Sequence, residues 1–530
     1  MIERLPYLWP EIALFIATCV VMVLGLSKTL AVRRMTAVVA GLGVLVAGIL
    51  AITQTPDPSV DKISSDSGQL LLPAMVPYTK ALIAGVGLLL LMLLAGTVDR
   101  SEEAAVAAGT RKFDPLRSNR AEFYAFYLFS LTGLMLCAGA DNLIWLFLAL
   151  ELTSLPTYIM VTISTARNRS REAGVKYFFL GAMGAAVFLY GFALIYGGTG
   201  STNFNEIHAH FQTNGINNIA MAGLLISILG MGFKIAAVPM HLYTPDVYEG
   251  AAPQVSAFLA FVPKTAGFIA ILLLCAMVGW GDSGHRLPEA MRLVLWVTAA
   301  LTMTVGNVLA LLQNNVKRIL AYSSIAHSGY MLVGVIAGPG KSGTFSDNGI
   351  SAVLFYLMAY GVMNLGCFAV LAALERKPGP DGEPREIETV NDLRGLCSTH
   401  PVLGWTMVLC SLSLLGFPPL LGFFGKLPLF TSAISAGEIT LVIVLGINSA
   451  IAAFYYLRLA FTPKLENPDA SLEPASVSPF KSRQYAGVLA AVAVVVMGVG
   501  GYWLLAPVMK RTAEAGAYKN LHVPATARAE

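Results

Sequence analysis

The chain has 530 residues, of which 56% are hydrophobic and 12% charged, with a net charge of +4. Soluble domains carry about twice that charged share, and the mean hydropathy of +0.68 points the same way. The composition excludes a string of soluble domains, and so small a net charge gives no reason to expect a nucleic-acid partner.

The N-terminal stretch runs to Pro10-Glu11, is acidic, and lacks a small-residue cleavage site. It is expected to stay in place rather than to be removed as a signal peptide. Apolar runs of about 20 residues, enough to cross roughly 30 Å of hydrocarbon, then recur to the end of the chain. About fourteen are predicted. The first seven lie near 10–27, 35–53, 79–97, 122–139, 143–163, 173–197 and 219–239. The rest lie near 253–279, 291–312, 318–338, 349–374, 401–434, 438–461 and 484–507. The fold class expected is an all-α polytopic membrane protein.

Alternate loops are basic: Arg33-Arg34, Arg111-Lys112, Arg167/Arg169/Arg171, Lys317-Arg318, Arg376-Lys377 and Lys481/Arg483. The positive-inside bias places this set in the cytoplasm and both termini on the other side. One loop, Tyr243 to Gly250, belongs to the basic set by alternation yet has no Lys or Arg.

The run 401–434 is too long for one straight span, and Pro418-Pro419 in its middle must break it. The seventh run is predicted to break at Pro239, just after Lys234. Broken helices persist at membrane depth only where protein or a wet cavity satisfies their backbone. Two such segments in matching halves point to a transport site. They run in opposite directions, as in an inverted repeat. The predicted divisions are residues 1–120, then repeats at 121–285 and 286–465, then 466–530.

Charged groups at mid-membrane cost about 2.5–3.5 kcal/mol each, yet several stand inside these runs. They are Glu151, Lys234, Lys264 beside Pro263, His327, Lys426 just past the Pro-Pro break, and the shallower Lys176. Bland roles exist for each. Lys176 can snorkel, His327 can bond between helices, Lys234 and Lys426 can cap freed carbonyls, and Glu151 can serve only as a salt-bridge partner. A shared reason accounts better for the set, and proton transfer is the chemistry expected. A buried lysine's hold on its proton depends on whether a carboxylate stands beside it, and histidine titrates near neutrality. The order expected is Glu151, Lys234, Lys264, His327, Lys426. Whether Lys176 or Lys234 partners Glu151 is open at this level.

The six cysteines are scattered, with no C-x-x-C pair, so neither an iron–sulfur cluster nor a zinc site is expected in this chain. Ser323-Ser324 near His327 reads as polar helix packing rather than a nucleophile.

Five stretches carry a family resemblance. They are Pro10-Glu11-Ile-Ala-Leu, Glu151-Leu-Thr-Ser-Leu-Pro-Thr-Tyr, the block Gly232 to Pro253, Tyr322 to Tyr330, and Phe417 to Lys426. The chain resembles the antiporter-like membrane subunits of NADH:quinone oxidoreductase (complex I) over roughly residues 8–507, most closely the N subunit. The first-helix Pro-Glu and the lysine past the second break favour N over M, and the short tail leaves no room for the lateral helix of L. The resemblance implies fourteen helices with two inverted five-helix repeats and broken helices seven and twelve. It assigns proton-channel roles to Glu151, Lys176, Lys234, Lys264 and Lys426. It implies no redox cofactor here, with NADH, FMN, iron–sulfur clusters and quinone handled by partner subunits. It also implies M-type and small K- or J-type neighbours in a bacterial inner membrane. Subunits of multisubunit cation/proton antiporters and membrane-bound hydrogenases share the Lys234 block. A non-conducting spacer is the rival from another class.

Overall fold

The computed structural model describes residues 7–53, 75–114, 118–165, 167–280, 287–340, 346–378, 384–468 and 475–500. Among the described residues eleven helices are long and apolar enough to cross a membrane. Three shorter apolar helices, Trp9–Gly25, Asn218–Met231 and Pro401–Leu415, lie among them. In helices of this kind every backbone group is satisfied within the segment, as hydrocarbon requires. Asparagine side chains cap five of the described helices. The side chains of Asn142, Asn203, Asn217, Asn315 and Asn348 each accept from a backbone N–H of the first turn. Such a cap stabilises a helix by about 1 kcal/mol.

Three helices form the centre. Every residue of Pro253–Val278 is buried, as are all of Val316–Ala337 except Arg318 and all of Gly349–Ala373 except Met358. Outer helices instead turn large apolar side chains outward, among them Phe15, Val23, Phe179, Leu293 and Phe454. A membrane protein needs that pattern, since lipid solvates such groups. Glycine brings the backbones close where Asn168–Thr199 meets Asn218–Met231. A Cβ at Gly191 would sit 2.6 Å from the Ser227 nitrogen and 2.7 Å from the Gly223 carbonyl oxygen.

Both expected breaks are present. The second falls where the prolines place it: Pro401–Leu415 ends at Gly416, at φ +92°, and Leu421–Ser435 begins after Pro418-Pro419. The first opens earlier than Pro239. Asn218–Met231 stops before Lys234, and a non-helical stretch containing Ala236 at φ +54° leads to Thr244–Gly250. Lys234 therefore lies in the break itself. Side chains satisfy the freed backbone there: Tyr243 Oη donates to the Phe233 carbonyl (2.8 Å) and Ser328 Oγ to that of Ile235 (2.5 Å). The Val238 N–H donates to Thr302 Oγ1 (3.0 Å).

Among the described residues the bundle is all-helical as expected, with one small three-stranded antiparallel sheet outside the spans. Leu374–Pro378 pairs with Pro384–Glu386 on one side and Ser476–Val477 on the other. Segments this short, without alternation, leave no readable strand signal. Residues 54–74 and 501–530, which include most of one unusual loop and the tail, lie outside the described residues.

The basic loops meet at one end of the bundle, next to this sheet. Arg100 and Arg483 share Glu375 at 2.7 and 3.0 Å, and Arg376 holds Asp392 at 2.5 Å. Lys317 holds Glu386 at 2.7 Å, and Arg33 stacks on Phe113 with 3.7 Å to the ring centroid. The acidic loop that broke the alternation fits here. Its Asp246 and Glu249 accept from Arg318 at 2.9 and 2.8 Å, and Glu249 also pairs with Arg169. It has no basic residues because it supplies the counter-charge for its neighbours.

Candidate functional site

Glu151 lies two turns into Leu143–Ile163, and Ser154, three residues on, shares its face. Both point at the break that carries Lys234. Lys234 Nζ lies 3.0 Å from Glu151 Oε1 and donates to Ser154 Oγ at 2.7 Å. The Phe188 ring stands 5.6 Å from the ammonium. The lysine side chain is 1% exposed and the glutamate 17%, so one end of the pair borders the outside. A helix running straight through residue 234 would hold this lysine to a fixed rotation. The break lets it turn to Glu151, and among the described residues it caps no carbonyl.

Lys264 follows on the central helix Pro253–Val278. Its ammonium donates to Ser324 Oγ at 2.5 Å and also to the Ser324 carbonyl, and it lies 5.0 Å from the Tyr360 ring centroid. Among the described residues it has no carboxylate partner. Ser328 links this point to the first break, since its hydroxyl contacts both the Ile235 carbonyl and the Ser324 carbonyl (3.2 Å).

One turn past Ser324, His327 is fully buried, with a hydroxyl on each ring nitrogen. Nε2 lies 2.7 Å from Tyr456 Oη and Nδ1 lies 2.7 Å from Tyr356 Oη. Tyr456 Oη also bonds Ser323 Oγ. The rings of Tyr330, Tyr356 and Tyr360 surround the imidazole at 5.3, 5.6 and 4.9 Å. A neutral imidazole donates through one nitrogen and accepts through the other. Exchanging tautomers reverses both tyrosine bonds, which is the elementary move of a proton relay.

Lys426 sits in Leu421–Ser435 and reaches back across the break, donating to the Leu415 carbonyl at 2.8 Å. It thus caps the first half-helix, while its ammonium lies 5.0 Å from the Tyr330 ring centroid. Lys264 and Lys426 therefore reach His327 from two sides through Tyr360 and Tyr330. The structure brings together Glu151 with Lys234, and Lys264 with His327 and Lys426.

Lys176 is not brought to this row. It lies on the basic face, its side chain 44% exposed, paired with Glu172 at 2.8 Å and Asp246 at 3.2 Å. Lys234 is the partner of Glu151. Sequence reasoning missed the hydroxyl groups of Ser154, Ser324, Ser328, Tyr356 and Tyr456, which read as packing residues in apolar runs. The signal available was a hydroxyl one turn from Glu151, at Ser154, and from His327, at Ser323, Ser324 and Tyr330. It also missed a second buried pair, Lys80 with Glu11, at 2.7 Å.

Residues 140–452 match the family model described as NADH:quinone oxidoreductase/Mrp antiporter, TM. A chain of the Mrp complex from a Dietzia species superposes with a TM-score of 0.73, covering 98% of this chain and 97% of its own, and at 20% identity it shares the fold. Fold and buried row together define the class, an antiporter-like membrane subunit. NADH-quinone oxidoreductase subunit N of Rhodospirillum rubrum is 34% identical over 470 residues, 88% of each chain. That of Trichlorobacter lovleyi is 43% identical over 349 residues, 64% of this chain and 67% of the relative. A chain of respiratory complex I from Thermus thermophilus superposes with a TM-score of 0.72 at 29% identity, covering 95% of this chain and 99% of its own. This chain belongs to the NADH-quinone oxidoreductase subunit N family.

Proposed function

We propose that the chain is the proton-translocating N-type subunit of the membrane arm of an NADH:quinone oxidoreductase, and that Glu151, Lys234, Lys264, His327 and Lys426 carry the protons. Electrons pass from NADH to quinone in partner subunits, where FMN and the iron–sulfur clusters reside, and this chain responds by moving protons. The chain crosses the membrane fourteen times, with the two interrupted helices counted as single crossings. Residues 121–285 and 286–465 are inverted repeats, flanked by 1–120 and 466–530. The basic face is cytoplasmic, both termini lie opposite, and M-type and small K- or J-type subunits are the neighbours in a bacterial inner membrane. Lys176 stands at the cytoplasmic rim, outside the conducting row.

The observation that carries this reading is Lys264. It is 2% exposed on a helix buried along its whole length, with serine as its polar partner. No interface is within reach for snorkelling, and a spacer would gain nothing from so costly a group. Pumping by the assembled complex carrying Lys234→Ala tests the reading. A large loss is expected, with quinone reduction also lowered where the two are tightly coupled. Normal pumping by an assembled complex would favour the spacer.

A further inference from the structure

We propose that Glu386 and Lys317 form a proton-loading site on the basic face, supplying Lys264 through Tyr248 and Ser324. The inference rests on the proton-transfer reading above and adds to it a place where protons leave bulk water.

A cleft open to solvent indents this face. Arg100, Ser164, Gln254, Glu375, Glu386 and Arg483 line it. Arg100 and Arg483 both pair with Glu375, and Glu386 pairs with Lys317, with Arg167 also lining the cleft. The glutamate side chain is 16% exposed and the lysine 2%. The acid therefore meets water and the amine behind it does not.

The pair is built in rather than adventitious. The segment after Glu386 hydrogen-bonds to the start of the helix carrying Lys317. The Val316 N–H donates to the Glu388 carbonyl (2.7 Å), and the Val390 N–H donates to that of Asn314 (3.0 Å). Strand pairing opposite Glu375 holds Glu386 from its other side.

Inward, Lys317 Nζ also donates to the Ala251 carbonyl at 2.9 Å, at the end of Thr244–Gly250. That short helix carries Tyr248, whose Oη lies 3.5 Å from Ser324 Oγ, the group that holds Lys264. Lys317 and Ser324 are two turns apart on one helix face, roughly 10 Å along the axis. The Thr244–Gly250 segment thus meets Lys317 at its end and Ser324 through Tyr248, alongside the Val316–Ala337 helix.

A proton from water neutralises the Glu386 carboxylate. The Lys317 ammonium passes its own proton, by way of the Tyr248 and Ser324 hydroxyls, to Lys264 once that lysine has given up a proton and stands as the neutral amine. The Lys317 amine then takes the proton on Glu386, which restores the carboxylate. A purely structural lysine capping the Ala251 carbonyl would explain that one contact. It would not require a solvent-reached acid as its partner.

The test uses the whole complex in sealed vesicles, with its amount checked on a native gel. Glu386→Gln keeps the shape and an acceptor for Lys317 but cannot load a proton. Pumping should fall by about a hundredfold or more, the lower end of what one positioned acid–base group contributes, and Glu386→Asp should restore most of it. Wild-type pumping in Glu386→Gln, alongside a loss in Lys264→Met, would overturn the loading site and leave the proton-transfer reading standing. Wild-type pumping in both would overturn that reading and the site with it. The wild-type complex gives a reading that does not depend on folding. A membrane-impermeant carbodiimide with an amine nucleophile, applied to the basic face, should modify Glu386 in step with lost pumping. Full modification with pumping intact would overturn the site.

Discussion

The Glu151–Lys234 pair permits a perturbation that separates holding the fold from moving protons. At 3.0 Å, two unit charges attract by roughly 5–6 kcal/mol at an effective dielectric of about 20. Desolvation of both groups offsets most of this, but removing one partner strands the other at a cost of about 3–5 kcal/mol. Glu151 is 17% exposed, so Lys234→Met, which strands the better-solvated glutamate, should sit at the low end. Glu151→Gln leaves the deeper lysine with Ser154 and an amide oxygen but no counter-charge, and should sit at the high end. Removing both leaves no uncompensated charge. Glu151→Gln/Lys234→Met should therefore assemble better, and resist heat in detergent better, than Glu151→Gln alone. It should pump no better than either single variant, because no titrating group remains at that point. The assay pairs residual complex after a heat step with proton uptake in vesicles, across wild type, both singles and the double. A double variant that recovers pumping together with stability would refute the reasoning, since the pair would then act only as a structural bond.

Tyr456→Phe removes the hydroxyl shared by His327 Nε2 and Ser323. It should cost about 1–3 kcal/mol for the buried groups left unpaired and slow pumping. Tyr455→Phe, which removes a 2.9 Å bond to Asn307 Oδ1, should cost similar heat resistance and leave pumping near wild type. Lys176→Ala should change heat resistance by less than about 1 kcal/mol, as exposed ion pairs do, and leave most of the pumping intact. Asp392 anchors the loop after Glu386. Burial raises its pKa, but the N–H and hydroxyl of Thr389, the Arg376 guanidinium and the Glu388 N–H outweigh this and hold it below the usual carboxylate range. A depressed acid stabilises fully above its unfolded pKa of about 3.9 and loses that contribution as pH falls through the lower folded value. Protease resistance of the loop should thus be flat above about pH 5 and fall below about pH 4. Asp392→Asn should be weaker than wild type at neutral pH and lack that transition.

The bundle was legible in the sequence because hydrocarbon imposes one rule, a run of about 20 apolar residues. Charges that violate it stand out, so Lys234, Lys264, His327 and Lys426 could be named without coordinates. The prolines at 418 and 419 marked the second break. The first opens at Gly232, where nothing forbids a helix. What interrupts it is tertiary, namely Tyr243, Ser328 and Thr302 satisfying the opened backbone. The tyrosine cage of His327 was invisible because a tyrosine in an apolar run reads as packing until its hydroxyl finds a partner. Lys80 was hidden in the same way. It lies 69 residues from Glu11, and only the packing of Trp9–Gly25 and Met75–Leu94 brings the two together. The acidic loop shows that alternation of loop charge is a statement about a whole face. Asp246 and Glu249 offend it locally and satisfy it once Arg169 and Arg318 are beside them.

The account depends on Lys264 serving as a way-station for protons rather than as a costly piece of packing. Lys264→Met keeps the length of the side chain, strands no carboxylate and should assemble normally. The ratio of protons translocated to quinone reduced, measured in sealed vesicles from single turnover onward, should fall below the wild-type ratio. An assembled Lys264→Met complex that keeps the wild-type ratio would contradict the account.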